Sequence, residues 1–180
     1  MMADHNDNQQ QFQKLDRVFR AGDLAGLRDA LGNPTDFPNC PLPYSLGVCP
    51  LVYAIYWSPL PFIESLLEAG ADPNYEADDG FPALIAVLST DRHDRIDLME
   101  LLLKAGVAIN QRGLNDWTPL HYAVSQRDLE AVRFLLDRGA DPTLKTRIDD
   151  MTTALDEAEA IQFTEALEIL QAAEDQMNDR

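Results

Sequence analysis

Apolar residues recur along this chain three and four positions apart, in short bursts broken by polar turns, which is helical spacing. Phe62, Ile63, Leu66 and Leu67 form one such face, Leu98, Leu101 and Leu102 another, and Leu129, Val132, Leu135 and Leu136 a third. A shorter apolar burst precedes each: Leu51-Val52-Tyr53-Ala54, Leu84-Ile85-Ala86-Val87 and Leu120-His121-Tyr122-Ala123. The pattern predicts pairs of helices, a short one followed by a longer one, with a polar connection to the next pair.

The pairs repeat. Leu51, Leu84, Leu120 and Leu155 are equivalent, at spacings of 33, 36 and 35 residues. A second marker keeps phase with the first: Gly70-Ala71-Asp72-Pro73-Asn74, Gly106-Val107-Ala108-Ile109-Asn110 and Gly139-Ala140-Asp141-Pro142-Thr143. Leucine to glycine is 19 residues from Leu51 and Leu120, and 22 from Leu84. Thr118 and Pro119 supply an N-cap hydroxyl and a proline at the first helical position, where a missing N–H is harmless. Cys49-Pro50 and Thr153-Ala154 keep half of that arrangement. Gly70, Gly106 and Gly139 fall where each second helix must end in a left-handed residue. Asp78-Asp79-Gly80 and Asn115-Asp116 are the turn residues at the tips that follow.

Helix, turn, helix, glycine and projecting turn at this period resembles the ankyrin repeat, from about Leu15 to Ala173. The likeness is clearest at Asp116-Trp117-Thr118-Pro119-Leu120-His121-Tyr122-Ala123 with Leu135-Leu136-Asp137-Arg138-Gly139-Ala140-Asp141. The resemblance implies an all-α ankyrin-repeat solenoid of about five helix-turn-helix units with short hairpin-like loops. The expected boundaries are a polar, disordered N-terminus at 1–11 and a single repeat domain at 12–173, followed by an acidic tail at 174–180. Within the domain lie a degenerate first unit at 12–32, a Pro-rich loop at 33–47, units at 48–80, 81–116 and 117–151, and a capping unit at 152–173. The first unit departs from the pattern, using Phe12, Leu15, Val18 and Phe19 for one face and Leu24, Leu27 and Leu31 for the other. The third carries three extra residues near Ser89 to Arg95, and the last lacks the closing glycine.

Composition narrows the function. The chain has 180 residues, 46% apolar and 25% charged, with Lys+Arg 14 against Asp+Glu 31 and a net charge of -17. Nucleic-acid binding by the whole chain is disfavoured, since phosphate contacts need a basic footprint. No basic side chain lies between Arg28 and Arg92, or between Arg147 and Arg180. Such a charge suits a basic protein partner, and it equally suits solubility through like-charge repulsion. Met1 to Gln13 has neither the basic nor the apolar region of a secretory signal, and no run approaches the ~18 apolar residues of a membrane span. With only Cys40 and Cys49, reduced thiols and a cytoplasmic, membrane-free location are expected.

In ankyrin proteins, by resemblance, partners bind on the concave surface of inner helices and hairpin tips. The corresponding positions are those before each Thr-Pro-Leu type opening (Val48, Phe81, Trp117), the tips (Asp78, Asp79, Leu114, Asn115) and the ends of the first helices (Tyr56-Trp57, Ser89-Thr90, Ser125-Gln126). Tyr56, Trp57, Phe81 and Trp117 are large rings where the fold asks for none, so they serve as interface anchors or else pack onto a neighbouring hairpin. Glu64, Glu68, Glu76, Asp78, Asp79 and Asp116 would form an acidic rim that selects a basic partner. His121 is expected to bond a neighbouring hairpin backbone.

No cofactor and no metal are expected, because the histidines and cysteines lack ligand spacing. Catalytic signatures are absent too. The expected protein is a non-enzymatic binding module, monomeric when free, that inhibits or sequesters a basic protein as an immunity-type inhibitor does. An adaptor linking two macromolecules, with the Asn33–Gly47 loop as second contact, and a metal or small-molecule sensor are the alternatives.

Overall fold

A computed structural model describes residues 2–43, 48–75, 80–147 and 151–178. Among them are ten α-helices and no strand. The chain divides into two compact units, 1–79 and 80–180.

The first unit holds α1 (Met2–Ala21), α2 (Leu24–Ala30), α3 (Pro50–Trp57) and α4 (Leu60–Glu68). Here α1 packs on α3 and α2 on α4, so the two hairpins lie side by side as two layers. Phe19 is the hub. Its ring lies 4.6 Å from that of Tyr53 and 5.9 Å from that of Phe62, edge-on to the latter. The chain is helical from Met2, where a disordered 1–11 was expected. The segment contains neither Gly nor Pro, and its glutamines at 9, 10, 11 and 13 are good helix formers, so α1 extends without a break.

The second unit holds α5 (Ala83–Leu88), α6 (Arg95–Lys104), a 3-10 turn (Leu114–Asp116), α7 (Pro119–Ser125), α8 (Leu129–Asp137), α9 (Ala154–Ala160) and α10 (Thr164–Asn178). The short helices α5, α7 and α9 pack in a row, and α8 packs on α10 behind them. Leu98, Leu102, Leu120, Val132, Leu135 and Leu170 are fully buried between the layers, where the repeat phase places them. The extra residues of the third unit widen the link between α5 and α6, where Arg92 and Asp94 pair at 2.7 Å.

Local chemistry starts or ends several helices where the sequence predicts it. Thr118 caps α7, with His121 reciprocating as a capping box, and Thr153 caps α9 with Asp156 in the same way. Cys49 makes no cap bond, but Pro50 still opens α3. At the close of α8, Gly139 has φ +89°. There Gly139 N–H donates to Leu136 O at 3.0 Å and Ala140 N–H to Leu135 O at 2.9 Å, the paired bonds of a Schellman turn. A Cβ at Gly139 would meet no atom within 4 Å. Gly139→Ala is therefore expected to destabilise the chain by about 1–2 kcal/mol through backbone strain alone. Its urea midpoint against wild type measures this.

Two hairpins are braced in the same way. Asp141 N–H donates to Asn110 Oδ1 at 3.0 Å in the second unit. In the first, Asp72 N–H donates to Asn39 Oδ1 at 2.8 Å, and Asn39 Nδ2 donates to Gly70 O at 3.0 Å. Asn39 comes from the Pro-rich loop, which thus serves the following helix pair as a repeat hairpin would. Leu42 N–H and Val48 O close that loop at 3.0 Å.

Candidate protein-binding site

The second unit brings four of the sequence-selected residues together. Phe81, Leu114, Asn115 and Trp117 line one cavity of about 180 Å³ with Gly80, Ile85 and Tyr122. The 3-10 turn builds its lip. Leu114 N–H donates to Gly80 O at 3.0 Å and Gly113 N–H to Trp117 O at 2.8 Å, so the tip folds back on the residues before α5. Asn115 and Asp116 both take positive φ, at 60° and 62°, which short polar side chains tolerate best among non-glycine residues. Leu114 is thereby left 63% exposed. The rings of Phe81 and Trp117 each stand edge-on to Tyr122, with centroids 6.3 and 6.4 Å away.

The remaining candidates lie elsewhere. Asp116 is shared by Arg112 at 3.8 Å and Arg147 at 3.5 Å. Ser125 ends α7, its hydroxyl donating to Tyr122 O at 2.8 Å, and exposed Gln126 donates to Ser125 Oγ at 3.3 Å. Neither borders the cavity. Asp78, Asp79 and Glu76 lie outside the described residues.

In the first unit, Tyr56 is half-buried and Trp57 is 50% exposed at the end of α3. Trp57 already carries a cation: the Arg20 guanidinium lies 5.0 Å from the ring centre. Arg20 is held by Asp16, whose carboxylate accepts from Nε at 2.9 and 3.1 Å and from the Tyr53 hydroxyl at 3.0 Å. The Arg20 hydrogen bond keeps Asp16 below the usual carboxylate range. Burial, helped by the bond to Asp16, pushes Tyr53 up to about 12.

Folding thus favours the neutral phenol. This stability is fully present below the ordinary tyrosine value near 10 and is lost as pH rises toward 12. Phenolate absorbance is expected to show one late-titrating tyrosine, and Tyr53→Phe is expected to remove that step. Loss of the late step without this substitution's help, in the folded wild type, would contradict the assignment.

Two features had little signal in the sequence. Tyr122 completes the cavity; its equivalents are Tyr53, Ala86 and Glu157, and that lack of a common type is the one available mark of a position the fold leaves open. Arg20 reaches Trp57 from a different helix, which no local pattern announces.

His121 is buried between repeats. Its Nδ1 lies 2.8 Å from Thr118 Oγ1 and its Nε2 3.1 Å from Thr152 O. A carbonyl only accepts, so Nε2 carries the proton and Nδ1 accepts from the threonine hydroxyl. Cys40 and Cys49 are free, buried thiols, and burial raises both. Among the described residues no group of three His, Cys, Asp or Glu is placed to hold a metal ion, and no helix is long and apolar enough to cross a membrane.

Repeated helix pairs closed by Schellman turns and joined by laterally bonded hairpins define a helical repeat protein. The family model for ankyrin repeats (3 copies) matches residues 51–146. The chain belongs to the ankyrin-repeat family. It is 35% identical over 96 residues, 53% of its length, to the ankyrin repeat and KH domain-containing protein mask-1 of Caenorhabditis elegans, covering 4% of that protein. It is 33% identical over 124 residues, 68% of its length, to the human palmitoyltransferase ZDHHC13, covering 18%. With the putative ankyrin repeat protein FPV233 of Fowlpox virus it shares 39% over 62 residues, 34% of its length and 12% of the viral protein. The chain thus spans less than a fifth of each of these relatives.

Proposed function

We propose that this chain binds a basic protein and inhibits or sequesters it, with no chemistry of its own. The observation that carries the reading is the cavity of the second unit. Phe81, Leu114, Asn115 and Trp117, which the family resemblance puts at positions open to partners, line it together with Gly80, Ile85 and Tyr122. Aromatic side chains at a partly dry centre are the composition of binding hot spots. The half-exposed indole of Trp57 is a second anchor. The Arg20 guanidinium 5.0 Å from its ring centre supports a guanidinium, the group a basic partner would offer, as a match for this ring. The net charge of -17 supplies attraction at long range.

The test is complex formation with a basic protein recovered from native lysate at low salt. A 1:1 complex weakened by salt is expected. Trp57→Ala and Trp117→Ala are each expected to weaken it by about 2 kcal/mol or more, as hot-spot rings do. Unchanged affinity in the double variant would overturn the reading. An adaptor instead would hold two partners at once, with separable mutations. The groove of the first unit along Leu31, Pro34, Cys40 and Leu42 is the surface such a second partner would use.

A further inference from the structure

The cavity of the second unit has a size and a lining that select its occupant. Its volume of about 180 Å³ is close to that of an apolar protein cavity that takes up benzene, about 150 Å³. Phe81, Ile85, Leu114, Trp117 and Tyr122 form most of its wall, and no lining side chain carries a charge. A charged tip entering here would lose water without an ionic partner, which is costly. A ring would instead meet Phe81, Trp117 and Tyr122, whose mutual angles of 76° and 71° are those at which aromatic edges and faces attract.

Charge acts on the partner in a different way. Asp116, next to the cavity in sequence, is already shared by Arg112 and Arg147. Attraction for a basic segment therefore comes from the net charge of the whole chain, -17. That field is screened by salt over a Debye length of about 8 Å at physiological strength, whereas burial of a ring is not an ionic effect. The two contributions are separable by experiment.

We infer that this cavity is the anchor site of the docking face and takes a single aromatic side chain, phenylalanine in kind, from a basic segment of the partner. The basic flank rests on the function proposed above; the aromatic anchor stands on the cavity alone. Leu114 is the gate residue, since it forms the lip and projects into solvent.

Three capped synthetic peptides test this against the full-length chain: one phenylalanine among lysines and glycines, the same peptide with alanine for phenylalanine, and the phenylalanine peptide with glutamines for lysines. The readout is the indole N–H resonance of Trp117, assigned by its disappearance in Trp117→Phe. The phenylalanine peptide is expected to shift it saturably. The alanine peptide is expected to bind about tenfold or more weakly, as the loss of a buried ring implies. Added salt should weaken both peptides and leave their ratio unchanged.

Leu114→Asp separates the two forces by sign. It makes the chain more negative while removing an apolar lip. It is expected to weaken the phenylalanine peptide severalfold and leave the alanine peptide equal or slightly tighter, with helicity unchanged.

Equal affinity of the phenylalanine and alanine peptides would overturn the anchor and leave the basic-partner reading standing. Equal affinity of the lysine and glutamine peptides would keep the ring and remove the basic flank, and with it the reading on which that flank rests. Tightening of both lysine peptides by Leu114→Asp, or no saturable shift of Trp117 up to about 1 mM peptide, would also overturn the anchor.

Discussion

Leu135→Ala is expected to destabilise the protein by about 2–5 kcal/mol, the range for a buried leucine truncated in a core that cannot collapse around the gap. Leu135 is fully buried on α8, and α8 packs on α7 within its own hairpin and on α10 of the next. In stacked repeats each helix pair is stabilised by its own packing and by its neighbours. One truncation here weakens both. Set against a typical total of about 5–15 kcal/mol, the loss is large enough to unfold part of the population at moderate temperature. Equilibrium urea unfolding followed by circular dichroism measures it. A loss below 1 kcal/mol, roughly that of a surface change, would contradict the packing described.

Acidification is the other large effect, and it acts through His121. Burial holds this imidazole below its ordinary value of 6.5, partly opposed by its bond to the Thr152 carbonyl, with the positive charge of Arg112 adding to the burial effect. The neutral form is therefore the one that folds. Its contribution is fully present above pH 6.5 and is lost as pH falls through the depressed folded value. Protonation turns Nδ1 from acceptor to donor, so its contact with the Thr118 hydroxyl must be rebuilt. His121→Ala is expected to abolish this pH dependence. It should also destabilise the protein at neutral pH by about 1–3 kcal/mol through the orphaned Thr152 carbonyl, with a further amount for the cavity. Thermal melts of both proteins between neutral and mildly acidic pH decide the matter. Parallel pH profiles would show that His121 is not the responsible group.

Most of the fold is visible in the order of residues because each helix pair is specified locally. The leucines at 51, 84, 120 and 155, the Thr118-Pro119 opening and the glycines at 70, 106 and 139 act within a few residues of themselves, and the structure places them as those rules require. Less legible are features that neighbours impose. Arg127 and Gln162 adopt positive φ, at 55° each, without the glycine that would announce it. For Arg127 the compensation comes from the next repeat, where it donates to Ile161 O and Gln162 O and stacks on Phe163 at 5.0 Å.

The candidate site divides the same way. Phe81, Leu114, Asn115 and Trp117 stand out by occupying positions the repeat leaves free. Tyr122 belongs with them only because the 3-10 turn folds their rings around it. Asp116 depends on its neighbours in a related way: Arg112 is four residues away and Arg147 is on the next hairpin, so its ion pairs rest on lateral stacking. The helix from Met2 was hidden by polarity, which describes what a helix faces and not whether it forms.

The brace at Asn39 bears on how the Pro-rich loop can change in length. The Asn39 bonds to Gly70 and Asp72 are made before the Leu42–Val48 closure, and those two residues fix where the chain leaves and returns. Extra sequence inserted between 43 and 48 would begin and end at pinned points, and each doubling of such a loop adds only about 0.6 kcal/mol of closure entropy. Lengthening here is thus expected to leave the Asn39 brace in place, whether by evolution or by grafting a foreign peptide.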